Sequence, residues 1–384
     1  MEASPPTAPA APSMHLPEVR VPAAWTLGGL AAGLVLGIVL GPQAETALTV
    51  AGTVGALWLK GLQMTIVPLV AALLVLGIVR TIAAAEAGVM AARTLSLFAG
   101  VLITGTLMSA LLMPVLVDAV PIPAAAAAAL REGLAGAEAP PVPGIEAFLQ
   151  SLVPSNVIEA AASGAILPVI LFFALFAVAI TRLPQAPRAA LSLLFEGIAG
   201  AMMVVIGWVL WLAPVGVFAL ALTVAAQSGA SAIGALAHYI GLVATIGFVV
   251  MLGGYVLAVI GARQPLGRFA RAMLPAQAVA ISTQSSLASV PAMLGVCRQL
   301  GLKESSGEFV LPLAVALFRA TGPAMNLAVA IYVAKLTGVA LTPEVLAAGV
   351  IVALLTTLGA PSLPGAISFV SSIGPIALAM GVPV

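Results

Sequence analysis

The chain has 384 residues, of which 62% are hydrophobic and 7% charged, with a formal net charge of +1. A water-soluble domain carries roughly a quarter charged residues, so this composition excludes a protein that covers itself with a polar surface. The near-neutral charge argues against a nucleic-acid partner, and one cysteine, Cys297, excludes a disulfide framework or a multi-cysteine metal site.

The chain opens on a Pro/Ala-rich stretch that ends at Arg20, and residues 1–22 read as a disordered tail rather than a signal peptide. Apolar stretches then fall near 23–41, 50–79, 94–117, 164–181, 189–226 and 232–261, giving six transmembrane helices over 23–262. Several exceed the roughly 20 residues that a perpendicular span needs, so those helices are tilted or interrupted. The segment 121–150, with its alanine run and the stretch Pro140-Pro141-Val142-Pro143-Gly144, reads as a loop or short interfacial helices. Among the charges in this half, Lys60 is expected near the outer end of its helix, snorkelling to the interface. Asp118 is expected as an interfacial charge, and Glu159 and Glu196 as solvated groups close to helix ends.

Residues 263–384 form a second expected unit, marked by interrupted apolar stretches. Placing the N-terminus inside puts Arg20, Arg80, Arg93, Arg182, Arg188, Arg263, Arg268, Arg271, Arg298 and Lys303 on one cytoplasmic face. That arrangement requires the segment from Arg271 to Arg298 to enter and leave by the same face, since 26 residues are too few for two spans. A re-entrant hairpin is therefore expected at 266–300, with its tip in the hydroxyl-rich run Ser282 to Ser289 before Pro291. Free amides at such a tip suit an anion. Helix 308–336 should break at Phe318-Arg319-Ala320-Thr321-Gly322-Pro323, because proline removes a hydrogen bond and clashes with the preceding turn. Arg319 then sits near mid-span, where a charge costs about 2.5–3.5 kcal/mol unless it meets a partner or water. Asn326, one turn on, is expected to serve the freed carbonyls. A second hairpin is expected at 344–381, interrupted by Gly359-Ala360-Pro361-Ser362-Leu363-Pro364-Gly365-Ala366. Matching interruptions in two halves point to a transporter's binding site.

With these residues in view the chain resembles the dicarboxylate/amino-acid:cation symporters, the family of bacterial glutamate and C4-dicarboxylate carriers and the excitatory amino-acid transporters. Lys60 to Val70 looks like the family's second-helix signature. Pro154-Ser155-Asn156 with Leu167-Pro168-Val169-Ile170, and Ala213 to Phe218, are similar to its fourth and fifth helices. Ser282 to Pro291 and Leu363-Pro364-Gly365-Ala366 resemble its two hairpin tips. The resemblance implies an all-α inverted-repeat transporter in the cell inner membrane: a homotrimer that moves a small anionic carboxylate by an elevator motion, without enzyme activity or cofactor. Its substrate would be held by Gln284, Ser285 and Ser286 of the first tip and gated by Leu363, Pro364, Gly365 and Ala366 of the second. Arg319, Thr321 and Gly322 would contribute from the broken helix.

The pattern departs from the family at two places. Where the family's seventh helix carries Asn-Met-Asp-Gly-Thr, this chain has Phe318, Arg319, Ala320, Thr321 and Gly322, and no Asp or Glu lies between Phe309 and Pro343. A sodium site wants oxygen ligands and net negative charge, so sodium coupling should be weakened, leaving Na⁺ or H⁺ open as the coupling ion. The sequence also ends at Val384, where the family continues into an eighth helix, which suggests a truncated form. The alternative function is a vestigial member that assembles with intact homologues. Intramembrane hydrolysis by Ser285 or Ser286 is disfavoured, because neither a His nor a Lys lies within the hairpin.

Overall fold

The computed structural model describes residues 22–86, 88–122, 150, 153–229, 231–283, 286–359 and 369–382. The described elements are helical throughout. Helices α1 (Ala23–Leu40), α2 (Glu45–Gln63), α3 (Ile66–Glu86) and α4 (Val89–Ala119) open the chain. The short α5 (Val157–Ala162) and α6 (Ile166–Thr181) follow, then α7 (Gln185–Trp211), α8 (Ala213–Ser228) and α9 (Ser231–Val256), which ends in a π turn. The last part contains α10 (Leu266–Thr283), α11 (Ser286–Gln299), α12 (Glu304–Leu317), α13 (Gly322–Thr337), α14 (Pro343–Gly359) and α15 (Gly374–Ala379). Stretches Glu45–Glu86, Val89–Ala119, Gln185–Trp211 and Ile233–Gly261 are each long and apolar enough to cross a membrane. The protein is an all-α polytopic membrane protein.

Proline sets the interruptions. A proline ring clashes with the carbonyl four residues earlier and supplies no N–H. Pro68 therefore stops the helix at Met64–Thr65, where the Thr65 hydroxyl donates to the Leu62 carbonyl at 2.7 Å. Pro214 does the same between α7 and α8, and Pro323 between α12 and α13.

The core runs along α3, which packs on α4, α6, α7 and α14. Every side chain from Leu69 to Ile78 is buried. Helix α1 lies on α8 at backbone contact. A Cβ at Gly33 would sit 2.5 Å from the Phe218 carbonyl oxygen, and one at Gly37 2.5 Å from that of Leu222. Gly29 meets the Pro214 carbonyl in the same way, so three glycines four residues apart form one seam. Small residues are how membrane helices approach closely when lipid offers no hydrophobic drive.

Lys60 is exposed in the last turn of α2, at an end of its helix as expected. One expectation about charges is corrected here. Glu196 is half-buried in the interior of α7, away from either end, and lies within electrostatic reach of Arg80 on α3. At the other end of the molecule, Lys335 Nζ donates to Asp118 at 2.7 Å, joining α13 to the end of α4. His238 Nε2 lies 2.8 Å from the Val120 carbonyl and its Nδ1 3.1 Å from the Tyr332 hydroxyl. A carbonyl only accepts, so Nε2 carries the proton and a neutral His238 accepts from the tyrosine.

Candidate functional site

The break between α12 and α13 is a short extended segment held between larger bodies. Phe318 leaves helical geometry at φ −127°, ψ 116°, and its N–H still reaches the Ala314 carbonyl. The chain turns at once, with the Gly322 N–H bonded to the Arg319 carbonyl at 2.9 Å, and α13 starts with Pro323 in its first turn. Helix α12 packs on α11, whereas α13 packs on α14 and α15. The break thus joins an element seated on the first helix pair to one seated on the second.

Three contacts from α4 and one from α9 fix this segment. The Phe318 ring stacks on Phe98 with centroids 4.3 Å apart. Gly105 faces the Ala320 carbonyl, leaving the α4 surface low at that point. Ser109, fully buried, donates its hydroxyl to the Ala324 carbonyl at 2.6 Å. Gly247 of α9 receives the Met325 side chain, whose sulfur would lie 2.8 Å from any added Cβ. Ser109→Ala should remove a second hydrogen bond from a carbonyl that already accepts within α13, and lower stability by about 0.5–1.5 kcal/mol. Thermal unfolding in detergent of the variant beside native protein measures this, and an unchanged midpoint would remove Ser109 from the account.

Arg319 is half-buried, with its aliphatic stem 3.3 Å from where a Gly322 Cβ would stand. Glycine at 322 therefore lets the stem lie against the first turn of α13. Among the described residues the Arg319 guanidinium has no ion pair or hydrogen bond. Thr321 is half-buried and takes the N-cap position without capping through its side chain, and Gly322 is buried. The Asn326 side chain is half-buried and makes no hydrogen bond among the described residues, so it does not serve the freed carbonyls there. Ser286 is exposed at the first residue of α11. Gln284, Ser285, Leu363, Pro364, Gly365 and Ala366 lie outside the described residues, as do the first 21 residues and the stretch 123–149.

The structure therefore brings Arg319, Thr321 and Gly322 together with Phe98, Gly105 and Ser109, a set that sequence reasoning did not assemble. The hydroxyl cluster Thr104, Thr106 and Ser109 in the otherwise apolar middle of α4 is the signal that could have marked Ser109.

Comparison with known proteins agrees with this architecture. The sodium:dicarboxylate symporter family matches residues 24–384. The proton/glutamate-aspartate symporter of Escherichia coli is 32% identical over 59% of this chain, and the match spans 52% of that protein, about half its length. The proton/sodium-glutamate symport protein of Bacillus subtilis is 26% identical over 87% of this chain and 79% of its own. The C4-dicarboxylate transport protein of Solibacter usitatus is 29% identical over 83% of this chain and 73% of its own.

Proposed function

The chain belongs to the sodium:dicarboxylate symporter family, and from that premise we propose that it is a secondary active symporter of small carboxylates, dicarboxylates or acidic amino acids. The observation that carries this is Arg319, a half-buried guanidinium without an anionic partner among the described residues, in the break between α12 and α13. A membrane interior retains an unpaired cation only where an anion or water meets it. A planar guanidinium matches a carboxylate with two parallel hydrogen bonds.

In this reading α10 with α11, and α14 with α15, are the two re-entrant hairpins. Gln284, Ser285 and Ser286 of the first hold the substrate carboxylate, and Leu363 to Ala366 of the second close over it. Thr321 and Gly322 line the site beside Arg319. The hairpins and the broken helix move as one body against a trimeric scaffold in the inner membrane, with the N-terminus cytoplasmic. The arginine-rich ends at Arg80, Arg93, Arg182 and Arg188 support that orientation.

Arg319 stands as a fixed charge in place of a bound sodium ion, because Phe318 and Ala320 offer no side-chain oxygen to a cation. Sodium coupling is weakened accordingly. The test is calorimetric binding of a panel of carboxylates to purified protein in sodium-free and sodium-rich buffers. Affinity for the bound member should change less than about 5-fold, the low edge of ordinary coupling between sites. A steep rise with sodium would overturn the fixed-charge reading, and no carboxylate binding in either buffer would overturn the carrier.

A further inference from the structure

The pair α10 and α11 has a small core of its own, built from Ala272, Ala276, Val296 and Leu300. Beside that core the mouth of the pair opens as a cleft of about 500 Å³, lined by Gly267, Arg268, Arg271, Ala272 and Gln299. One Arg268 Nη donates to the Gln299 carbonyl at 3.0 Å, which holds the guanidinium across the opening. A guanidinium has five N–H donors, so most of its capacity remains unused by that bond. Arg271 is exposed, with no ion pair or hydrogen bond among the described residues. Arg263, Arg298 and Lys303 add to the same end, and the stretch 263–303 contains no Asp or Glu. Glu304 and Glu308, at the start of α12, follow that stretch.

This charge meets an apolar face. Arg271, Leu274, Ala278 and Ile281 recur at the three- and four-residue spacing that places them on one side of α10. All are exposed, Leu274 at 61% and Ile281 at 78%. From Arg271 to Ile281 the helix rises about 15 Å, the depth of one leaflet's hydrocarbon. A cation at one end and bare aliphatic surface below it match the two parts of a lipid, and basic pockets between membrane helices bind anionic head groups.

We propose that the cleft between α10 and α11 binds the phosphate head group of an anionic phospholipid, with its acyl chain lying along the Arg271–Ile281 face of α10. The site is separate from Arg319 and does not depend on which substrate is carried.

The test uses native mass spectrometry of the full chain in detergent, with phosphatidylglycerol or phosphatidylcholine added in equal amount. Phosphatidylglycerol should remain bound in preference to phosphatidylcholine. The double variant Arg268→Gln, Arg271→Gln should lose roughly 30-fold in that preference, since each cation near a head group contributes about a 5-fold gain. Arg268→Lys with Arg271→Lys should retain most of it, which keeps the test valid if the neutral variant folds poorly. Inorganic phosphate should not compete. Equal retention of the two lipids, an unchanged preference in the neutral variant, or displacement by inorganic phosphate would each overturn the proposal, the last by assigning the cleft to a free anion.

Discussion

Replacing Arg319 with methionine should weaken carboxylate binding by roughly 10- to 150-fold, the value of a hydrogen bond to a charged group, while leaving the protein at least as stable. The two halves of this result have different causes. Binding falls because the bound anion loses its guanidinium partner in a region of low dielectric constant. Stability holds because the native guanidinium is half-buried with no counter-charge among the described residues, so methionine removes a desolvation cost and keeps the stem's volume. A structural arginine that clamped loose carbonyls would behave in the opposite way, since its loss would free buried acceptors. Calorimetry and a thermal scan on the same preparation separate the two roles. A destabilised variant that binds as well as native protein would make Arg319 structural.

The second large effect is expected at the α1–α8 seam. Gly33→Ala should lower stability by about 1–3 kcal/mol, the usual cost of overpacking a tight contact. The added methyl would stand 2.5 Å from the Phe218 carbonyl oxygen and 2.9 Å from the Ala221 Cβ. Both belong to α8, and a backbone carbonyl cannot swing aside as a flexible side chain can. Gly28→Ala is the matched control, because its Cβ would meet nothing within 4 Å. There the gain in helix propensity, up to about 1 kcal/mol, acts alone. Unfolding midpoints of the two variants at one scan rate should move in opposite directions, and a parallel shift would mean that α1 and α8 are not in backbone contact.

The all-α class and the family were legible because both are written in local terms. Long apolar runs, prolines that forbid the next hydrogen bond and short motifs in a fixed order need no knowledge of distant residues. Pro68, Pro214 and Pro323 act on the carbonyl four positions back, wherever the chain later goes. The misplacement of Glu196 came from the same locality. Distance from a helix end was judged from apolar stretches, and those did not reveal that α7 extends well to either side of Glu196 or that Arg80 stands within its electrostatic reach. The surroundings of Arg319 were illegible for a different reason. The stack of Phe98 on Phe318 and the bond from Ser109 to Ala324 join residues more than two hundred positions apart, and one sequence carries no record of such pairing. The seam glycines lay between these cases. Their spacing of four is visible in the chain, but its meaning depends on a partner helix with Ala221 and Ala225 set opposite.

From Ile66 to Val79, α3 bears no polar side chain at all, although α4, α6, α7 and α14 all pack on it. Dispersion attraction has no preferred direction, and each atom pair contributes only about 0.1–0.2 kcal/mol. Neighbours are therefore held here by close packing alone, and trimming one of these side chains would weaken the hold of α3 on them without breaking a hydrogen bond.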